Sequence, residues 1–247
     1  MNFFGKIAVV TGAASGIGEA IARGLAQGGA RVAALDIKPA ATDLYIQCDV
    51  GDDESVSAAA RRIEAKLGAV HIVIHCAAVS VDGSIVSTAI ADYARIMNVN
   101  LYGAVRLAKA FAPAMRLRGQ ETGSGGAFLF VSSINAKYAT PNLGAYAASK
   151  AALDSVTKTL AVELAPDGVR VNSIQPASVD TPLLRSGYAR LEDPAPAIAA
   201  NVARHPLGRW GTPEDAAKLA LFLVSDDASW ITGAHYALDG GASVTRK

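Results

Sequence analysis

Short apolar runs, rich in β-branched residues, alternate along the chain with longer stretches of mixed polarity. These runs lack the polar alternation of a half-exposed strand, which favours strands buried on both faces. Seven strands are predicted in this way, over residues 6–11, 31–36, 44–48, 70–75, 127–131, 170–175 and 236–238.

Helical periodicity fills the stretches between these runs. Ile17, Ile21 and Leu25 recur at four-residue spacing on one face, and Asp52 or Asp53 can cap the following helix. Strand–helix alternation without a break in composition predicts one α/β domain over residues 1–247, a Rossmann-type, doubly wound parallel sheet of about seven strands with helices on both faces. The predicted helices cover residues 17–27, 53–67, 93–117, 143–164 and 213–224.

Residues 182–206 interrupt this alternation, with Pro182, Pro194, Pro196 and Pro206 among residues of mixed polarity. Long insertions in compact domains often form lids or binding loops, so we predict a substrate lid here. The segment has an apolar side and carries three arginines, Arg185, Arg190 and Arg204.

The composition limits the partners of this chain of 247 residues, which is 51% hydrophobic and 18% charged, with a formal net charge of +1. The near-neutral charge removes the electrostatic reason to expect nucleic acid or an anionic membrane surface. No run of about 18 uncharged apolar residues is present to span a bilayer. The N-terminus lacks the basic region and cleavage site of a signal peptide, so we expect a cytoplasmic protein.

Cys48 and Cys76 are the two cysteines of the chain. They are too few for a disulfide framework, and their spacing does not fit a zinc site. Each lies in or beside an apolar run, so both are interpreted as small buried hydrophobic residues, and no metal site is predicted.

A glycine-rich turn over residues 11–18 follows the first strand and precedes the first helix. Glycines there let a pyrophosphate approach backbone N–H groups, and the following helix presents its positive end to the anion. The position predicts a dinucleotide phosphate site, although such a turn alone would also fit a plain tight turn. The candidate contacts are Gly12, Ser15, Gly16, Ile17 and Gly18.

Asp36 closes the second strand, 18 residues beyond Gly18. A carboxylate here can accept hydrogen bonds from both hydroxyls of an adenine ribose, and it would repel a 2′-phosphate. The next residue is Ile37 rather than an arginine that could hold that phosphate. Asp36 and Ile37 are therefore candidate ribose contacts that favour NAD over NADP, with a plain strand-end aspartate as the alternative.

Tyr146 and Lys150 lie four residues apart at the start of a predicted helix, hence on one face. A free tyrosine has a pKa of about 10, and an ammonium one turn away would lower it towards that of a useful general base. Ser133 ends the fifth strand at the carboxyl edge of the sheet, where open α/β sheets bind ligands. Its hydroxyl could hold a carbonyl oxygen beside Tyr146, although a tyrosine–lysine pair by itself would also fit surface packing.

Seven short motifs occur in the order typical of one enzyme family, at residues 11–18, 48–50, 98–101, 131–133, 146–150, 171–174 and 238–241. Over nearly its whole length the chain resembles the classical short-chain dehydrogenases/reductases. The resemblance implies that Ser133 orients the substrate oxygen, that Tyr146 is the general acid/base, and that Asn100 holds a water in a proton relay. It also implies that Lys150 lowers the tyrosine pKa and binds the nicotinamide ribose.

Further cofactor contacts are implied by the same resemblance. Tyr146 and Lys150 contribute, as do Asp49 and Val50 at the adenine, Val179 and Thr181 at the nicotinamide, and also Ala77 and Pro176. Ser132 is a rival for the serine role, but it lies 14 residues before Tyr146, whereas the family spacing is that of Ser133, which is 13.

Two positions depart from the family pattern. His75-Cys76-Ala77-Ala78 stands where Asn-Asn-Ala-Gly is usual, so bracing side-chain hydrogen bonds are lost and Ala78 adds a Cβ near the cofactor. Pro176-Ala177 stands where Pro-Gly is usual, and alanine tolerates fewer backbone conformations. His75 is interpreted as a packed strand-end histidine, with a catalytic base as the alternative.

The function implied is an NAD-dependent oxidoreductase that interconverts a secondary alcohol and a ketone or aldehyde by hydride transfer. The lid favours a moderately apolar alcohol or ring ketone with a polar tail. The alternatives are an NADP-preferring carbonyl reductase of the same family and a weakly catalytic dinucleotide-binding regulator. The resemblance also implies a homotetramer built on two long helices, where Ala147, Ala151 and Ala161 would allow close approach.

Overall fold

One parallel sheet of seven strands organises the computed structural model, which describes residues 1–42 and 44–245. The strands are β1 Ile7–Thr11, β2 Arg31–Asp36, β3 Leu44–Gln47, β4 Ile72–His75, β5 Gly126–Val131, β6 Val169–Pro176 and β7 His235–Leu238. Their order across the sheet is β3-β2-β1-β4-β5-β6-β7. The winding reverses between β1 and β4, and this opens a crevice at the carboxyl ends of the strands.

Helices cover both faces of the sheet, which confirms the predicted fold class. Apolar side chains of α1 (Gly16–Gln27) and α8 (Pro213–Val224) pack on one face, and those of α2 (Asp53–Leu67), α4 (Gly103–Thr122) and α5 (Gly144–Leu164) pack on the other. The strands are therefore buried on both sides, as their uninterrupted apolar sequence requires. In the described part of the chain the helices are α1 Gly16–Gln27, α2 Asp53–Leu67, α3 Ile90–Met97, α4 Gly103–Thr122, α5 Gly144–Leu164, α6 Pro182–Tyr188, α7 Ala195–Val202 and α8 Pro213–Val224.

The long helix predicted over residues 93–117 is two helices, α3 and α4, joined by a π-helical turn at Asn98–Tyr102. The turn lets the chain pass close to β4 without a side chain at Gly103, where a Cβ would lie 3.0 Å from Cε1 of His75. π-helical turns are frequent at functional sites, and this one carries Asn100. An apolar pattern of helical period does not distinguish one widened turn from regular helix.

The segment predicted as a lid contains α6 and α7, and it lies over the carboxyl end of the sheet. The Thr181 hydroxyl caps α6 by accepting a hydrogen bond from the Leu184 N–H at 3.3 Å. The Tyr188 ring at the end of α6 stacks on Trp210, with 5.6 Å between the ring centroids. Among the described residues, no helix is both long enough and apolar enough to cross a bilayer.

Candidate active site

The glycine-rich turn runs from the end of β1 into the first turn of α1. Gly12 adopts a φ of +65°, and a Cβ on it would lie 2.7 Å from the Ala77 nitrogen. A Cβ on Gly18 would collide with the Gly12 carbonyl. Ser15 precedes the helix, and its side chain makes no capping hydrogen bond. The turn thus leaves backbone N–H groups at the positive end of α1 open to an anion.

Asp36 is held at the end of β2 beside this turn. Its Oδ2 accepts a hydrogen bond from the Ala14 N–H at 3.0 Å, and its Oδ1 accepts one from the Lys38 N–H at 3.0 Å. The carboxylate is therefore fixed in orientation before any ligand arrives. Ile37 is 60% exposed beside it, so the side chain that follows Asp36 along the cleft is apolar.

Asp49 and Val50 follow β3 on the same side of the crevice. The Oδ1 of Asp49 accepts a hydrogen bond from the Gly51 N–H at 2.8 Å, and the backbone N–H of Asp49 donates to Ser55 at 3.0 Å. Val50 is buried, and Asp49 is exposed. This arrangement places one carboxylate and one apolar surface next to each other, which suits the edge and face of an adenine.

Tyr146 and Lys150 occupy the first two turns of α5, and their side chains meet. The Lys150 ammonium is buried, donates to the Val131 carbonyl at 2.7 Å, and lies 5.5 Å from the centre of the Tyr146 ring. Burial lowers the pKa of Lys150 to about 8. The ammonium therefore still carries its charge at neutral pH, and it sits over the ring of the tyrosine.

The pKa of Tyr146 is not lowered, contrary to the sequence-based expectation. Burial raises the pKa of Tyr146 to about 12, and a hydrogen bond with Ser133 opposes the rise. The physical reason is that desolvation disfavours the phenolate, while the ammonium of Lys150 is anchored on the Val131 carbonyl rather than on the phenol oxygen. In this state Tyr146 is a proton donor, and removing its proton requires further stabilisation of the phenolate.

Ser133 lies against Tyr146 beyond the end of β5. Its hydroxyl donates weakly to the Pro176 carbonyl at 3.5 Å and accepts from the Asn135 N–H at 3.1 Å. Ser132, the rival for this role, instead donates to the Lys150 carbonyl at 3.3 Å and is buried. The Ser133 side chain therefore points towards Tyr146, whereas the Ser132 side chain points towards the backbone of α5.

Asn100 lies behind the cleft, in the π-helical turn. Its Oδ1 accepts from the Val79 N–H at 2.9 Å, and its Nδ2 donates to the Val79 carbonyl at 3.0 Å and to Ser149 at 3.0 Å. Ser149 in turn donates to the Tyr146 carbonyl at 2.7 Å. Asn100 thereby ties the loop after β4 to the helix that carries Tyr146. Neither Ser149 nor Val79 was predicted as a site residue, although Ser149 lies within the tyrosine–lysine motif of the sequence.

His75 at the end of β4 is a structural residue in this geometry. The Thr11 hydroxyl accepts from the N–H groups of Cys76 and Ala77, each at 3.2 Å, and lies 3.0 Å from Nδ1 of His75. The single hydroxyl hydrogen therefore goes to Nδ1, which assigns the Nε2–H tautomer. Burial lowers the pKa of His75 to about 3, so the ring is neutral at physiological pH.

The departures at Ala78 and Ala177 leave the backbone unstrained. In residues 1–42 and 44–245, Asn142 is the only residue other than glycine with a positive φ. Ala177 donates its N–H to the Leu238 carbonyl at 3.0 Å, as an ordinary extended residue can. The glycines usual at these two positions are therefore not required by the backbone conformation of this chain.

The candidate residues converge on one cleft of about 1510 Å³ at the carboxyl edge of the sheet. Val179 pairs with Gly211 in a short parallel bridge and lies along its wall. Asn100 is the exception, since it supports the cleft from behind. The predicted residues that line the cleft are Gly12, Ser15, Gly16, Ile17, Gly18, Asp36, Ile37, Asp49, Val50, Ala77, Ser133, Tyr146, Lys150, Pro176, Val179 and Thr181.

A protein-family model described as enoyl-(acyl carrier protein) reductase matches residues 12–243, a span that contains the glycine-rich turn, the serine–tyrosine–lysine group and the lid. The chain belongs to the short-chain dehydrogenase/reductase family. It is accordingly an oxidoreductase of the kind that acts on CH–OH groups, and members of this family bind NAD or NADP.

Relatives that match over the full length differ in substrate. The chain is 36% identical to cis-4-hydroxycyclohexanecarboxylate dehydrogenase of Sinomonas cyclohexanicum, over 97% of each chain. It is 33% identical to a 3-oxoacyl-acyl-carrier-protein reductase of Thermotoga maritima, over 98% of this chain and 99% of the relative. A 3-ketoacyl-acyl-carrier-protein reductase of Brucella melitensis, solved with NADH, superposes with a TM-score of 0.89 at 32% identity, over 98% of this chain and all of that one.

The cleft of this dehydrogenase/reductase fits a nicotinamide dinucleotide. Gly12 and Gly18 let the turn pack against neighbouring backbone, with which a Cβ on either would collide, and the turn forms a cradle at the positive end of α1. Asp36 lies beside this cradle at the end of β2, and backbone N–H groups already hold its carboxylate in one orientation. A pyrophosphate would lie on the turn and a ribose beside Asp36, with Lys150 at the opposite end of the cleft.

Proposed function

We propose that the protein is an NAD-dependent oxidoreductase that interconverts a secondary alcohol and a ketone or aldehyde, with Tyr146 as general acid/base. The observation that carries this proposal is the convergence of Ser133, Tyr146 and Lys150 at one end of a cleft whose other end holds the glycine-rich turn and Asp36. The full-length relatives named for alcohol oxidation support the direction and the substrate class.

Ser133 and Tyr146 position the substrate oxygen. Their hydroxyls are within hydrogen-bonding reach of each other, so an oxygen placed between them receives a hydrogen bond from each. In reduction Tyr146 donates its proton to the nascent alkoxide, and in oxidation the phenolate removes the proton of the alcohol. The bound dinucleotide supplies the hydride acceptor in oxidation and the hydride donor in reduction.

Lys150 controls which protonation state of Tyr146 is available. Its charge stabilises the phenolate electrostatically, against a burial that raises the pKa of the phenol to about 12. Because burial brings the pKa of Lys150 to about 8, alkaline pH weakens this support at the same time as it promotes loss of the tyrosine proton. Asn100 and Ser149 keep α5, and hence Tyr146, in register with the loop after β4.

The test is an assay of NAD and NADP reduction at about pH 7.5, where Lys150 keeps most of its charge, over a panel of sugars, steroids, cyclic diols and hydroxy acids. We expect NADH formation with cyclic secondary alcohols, at a kcat/KM of at least about 10⁴ M⁻¹s⁻¹ for the physiological substrate. A chain that binds NAD but forms no NADH with any alcohol of the panel would instead be the cofactor-binding regulator.

A second candidate function is the reduction of a 3-oxoacyl thioester with NADPH. It is favoured by the names of two similar proteins, the 3-oxoacyl-acyl-carrier-protein reductase of Thermotoga maritima and the 3-ketoacyl-acyl-carrier-protein reductase of Brucella melitensis. Acetoacetyl thioesters assayed with NADPH and NADH distinguish the two candidates. Oxidation of the dinucleotide by the thioester, with NADPH preferred, would replace the first proposal by the second.

We also propose that the protein is a homotetramer in solution. A groove between α4 and α5, lined by Val105, Val156 and Leu160, leaves apolar side chains on the surface of the protomer. Ala161, expected at a partner contact, is instead buried within the protomer against the sheet, so it is not part of such a surface. Size-exclusion chromatography with light scattering should give about four times the chain mass of 25.3 kDa, and elution at the monomer mass would contradict this assembly.

A further inference from the structure

The arginines in and just after the lid differ in whether a carboxylate pairs with them. Arg185 donates to Asp180 at 2.7 Å, Arg209 donates to Asp215 at 2.6 Å, and Arg190 reaches Asp82 at 3.5 Å. Arg204 follows α7 and lines the same cleft as Tyr146. In the part of the chain that the structure describes, Arg204 has neither an ion pair nor a side-chain hydrogen bond. Within residues 1–42 and 44–245, Arg204 is therefore the lid arginine that no carboxylate pairs with.

The surroundings of Arg204 form an ordered wall rather than a loose surface. Tyr188 stacks on Trp210, and the Trp210 indole donates to the Asn201 side chain at 2.8 Å. Burial raises the pKa of the Tyr188 phenol, and the positive charge of Arg204 opposes that rise. The guanidinium therefore lies within electrostatic reach of a phenol that the protein has already partly removed from water.

The charges that line the substrate end of the cleft leave a positive excess. The Asp82 carboxylate is offset by Arg190, with which it pairs at 3.5 Å. The buried ammonium of Lys150 belongs to the catalytic group. Arg204 adds a further positive charge that forms no ion pair with the described residues, and the other groups of the wall, Tyr188 and Asn201, are neutral. A substrate that carries a negative charge away from its hydroxyl would complete this arrangement.

We propose that Arg204 binds a carboxylate of the substrate, so that the physiological alcohol is a hydroxy acid with an apolar body. A guanidinium matches a carboxylate with two parallel hydrogen bonds. The Tyr188 ring, which lines the cleft and stacks on Trp210, offers an aromatic face to the body of the molecule. This inference deepens the proposed alcohol oxidation and rests on it. It gives the polar tail expected for the substrate a chemical class and a residue that recognises it.

The kinetic test compares two alcohols that differ by the carboxylate, cis-4-hydroxycyclohexanecarboxylate and cyclohexanol. We expect Arg204→Gln to lower kcat/KM for the hydroxy acid by about tenfold or more, through KM, and to leave cyclohexanol within about twofold. Arg204→Lys, which keeps the charge but not the fork, should lie between the two. Arg61→Gln, which removes another exposed arginine, from α2 and outside the cleft, is the control and should change kcat/KM for neither substrate.

Binding tests the proposal separately from turnover. Isothermal titration of the protein, with and without NAD, should show cyclohexanecarboxylate binding more tightly than cyclohexanecarboxamide, and Arg204→Gln should remove the difference. Equal losses for the acid and the neutral alcohol, unchanged acid binding in Arg204→Gln, or the same loss in Arg61→Gln would overturn the carboxylate site. If the wild-type protein oxidised no alcohol but still bound the acid more tightly than the amide, the proposed reaction would be wrong and the carboxylate site would stand.

Discussion

Replacing Tyr146 by phenylalanine should lower kcat/KM for alcohol oxidation by roughly 10²–10⁴-fold, the usual contribution of a positioned general acid/base. The substitution removes only the phenol hydroxyl, which hydrogen-bonds with Ser133, and keeps the ring beneath the Lys150 ammonium. Most residues expected to contact the dinucleotide lie elsewhere in the cleft, so loss of the single contact from the Tyr146 hydroxyl should change the affinity for NADH by less than about threefold. Steady-state kinetics and NADH fluorescence titration measure the two effects independently.

Tyr236→Phe is the matched control for this substitution. It also deletes a phenol hydroxyl, but from β7, where the ring packs against the apolar core on the face of α1 and α8. We expect wild-type kinetics from it. If Tyr146→Phe retained more than about a tenth of the wild-type kcat/KM on the preferred alcohol, Tyr146 would not be the proton-transfer residue, and the role of the serine–tyrosine–lysine group would need to be reassigned.

The parallel sheet could be predicted because its strands are buried on both faces and therefore stand out as uninterrupted apolar runs. Residues 72–75 show this, since all four side chains are buried and only that of His75 is polar. The N-cap of α2 could be limited to two candidates, Asp52 and Asp53. Asp52 is the cap, since its carboxylate accepts a hydrogen bond from the Ser55 N–H at 2.7 Å. The π-helical turn at Asn98–Tyr102 could not be predicted, because the same apolar pattern of helical period fits both a widened turn and regular helix.

The candidate site shows the same division between local pattern and long-range contact. Tyr146 and Lys150 are one helical turn apart, so their meeting on one face follows from the sequence. The pKa of Tyr146 does not follow, because it depends on how deeply the fold buries the phenol and on where Val131 anchors the ammonium. His75 stands where the family usually has a bracing asparagine. Here the bracing comes from Thr11, whose hydroxyl contacts His75 and two backbone N–H groups. These contacts join distant segments, so no local motif encodes them.

The kcat/KM with NAD should exceed the kcat/KM with NADP by about 30-fold or more, and Asp36→Asn should remove most of this difference. Two like unit charges about 4 Å apart repel by ~1–4 kcal/mol, depending on exposure, and a 2′-phosphate carries nearly two charges. Asparagine keeps an acceptor for the Ala14 N–H, so the glycine-rich turn should retain its shape. Ile37 supplies no cation, so we expect the variant to use both dinucleotides without acquiring a strong preference for NADP.

Asp49→Asn separates this local effect from the general field of the cleft. It makes the same chemical change, alters the net charge by the same amount, and also lies in the cleft, but after β3 at the expected position of the adenine. NAD and NADP are identical at the adenine, so Asp49→Asn should shift kcat/KM for both dinucleotides equally and leave their ratio unchanged. A ratio that moved alike in both variants would mean that the summed negative charge of the cleft discriminates, rather than the Asp36 carboxylate at the ribose. A change confined to Asp36→Asn would assign the discrimination to that carboxylate, because only there does a phosphate replace a hydroxyl between the two cofactors.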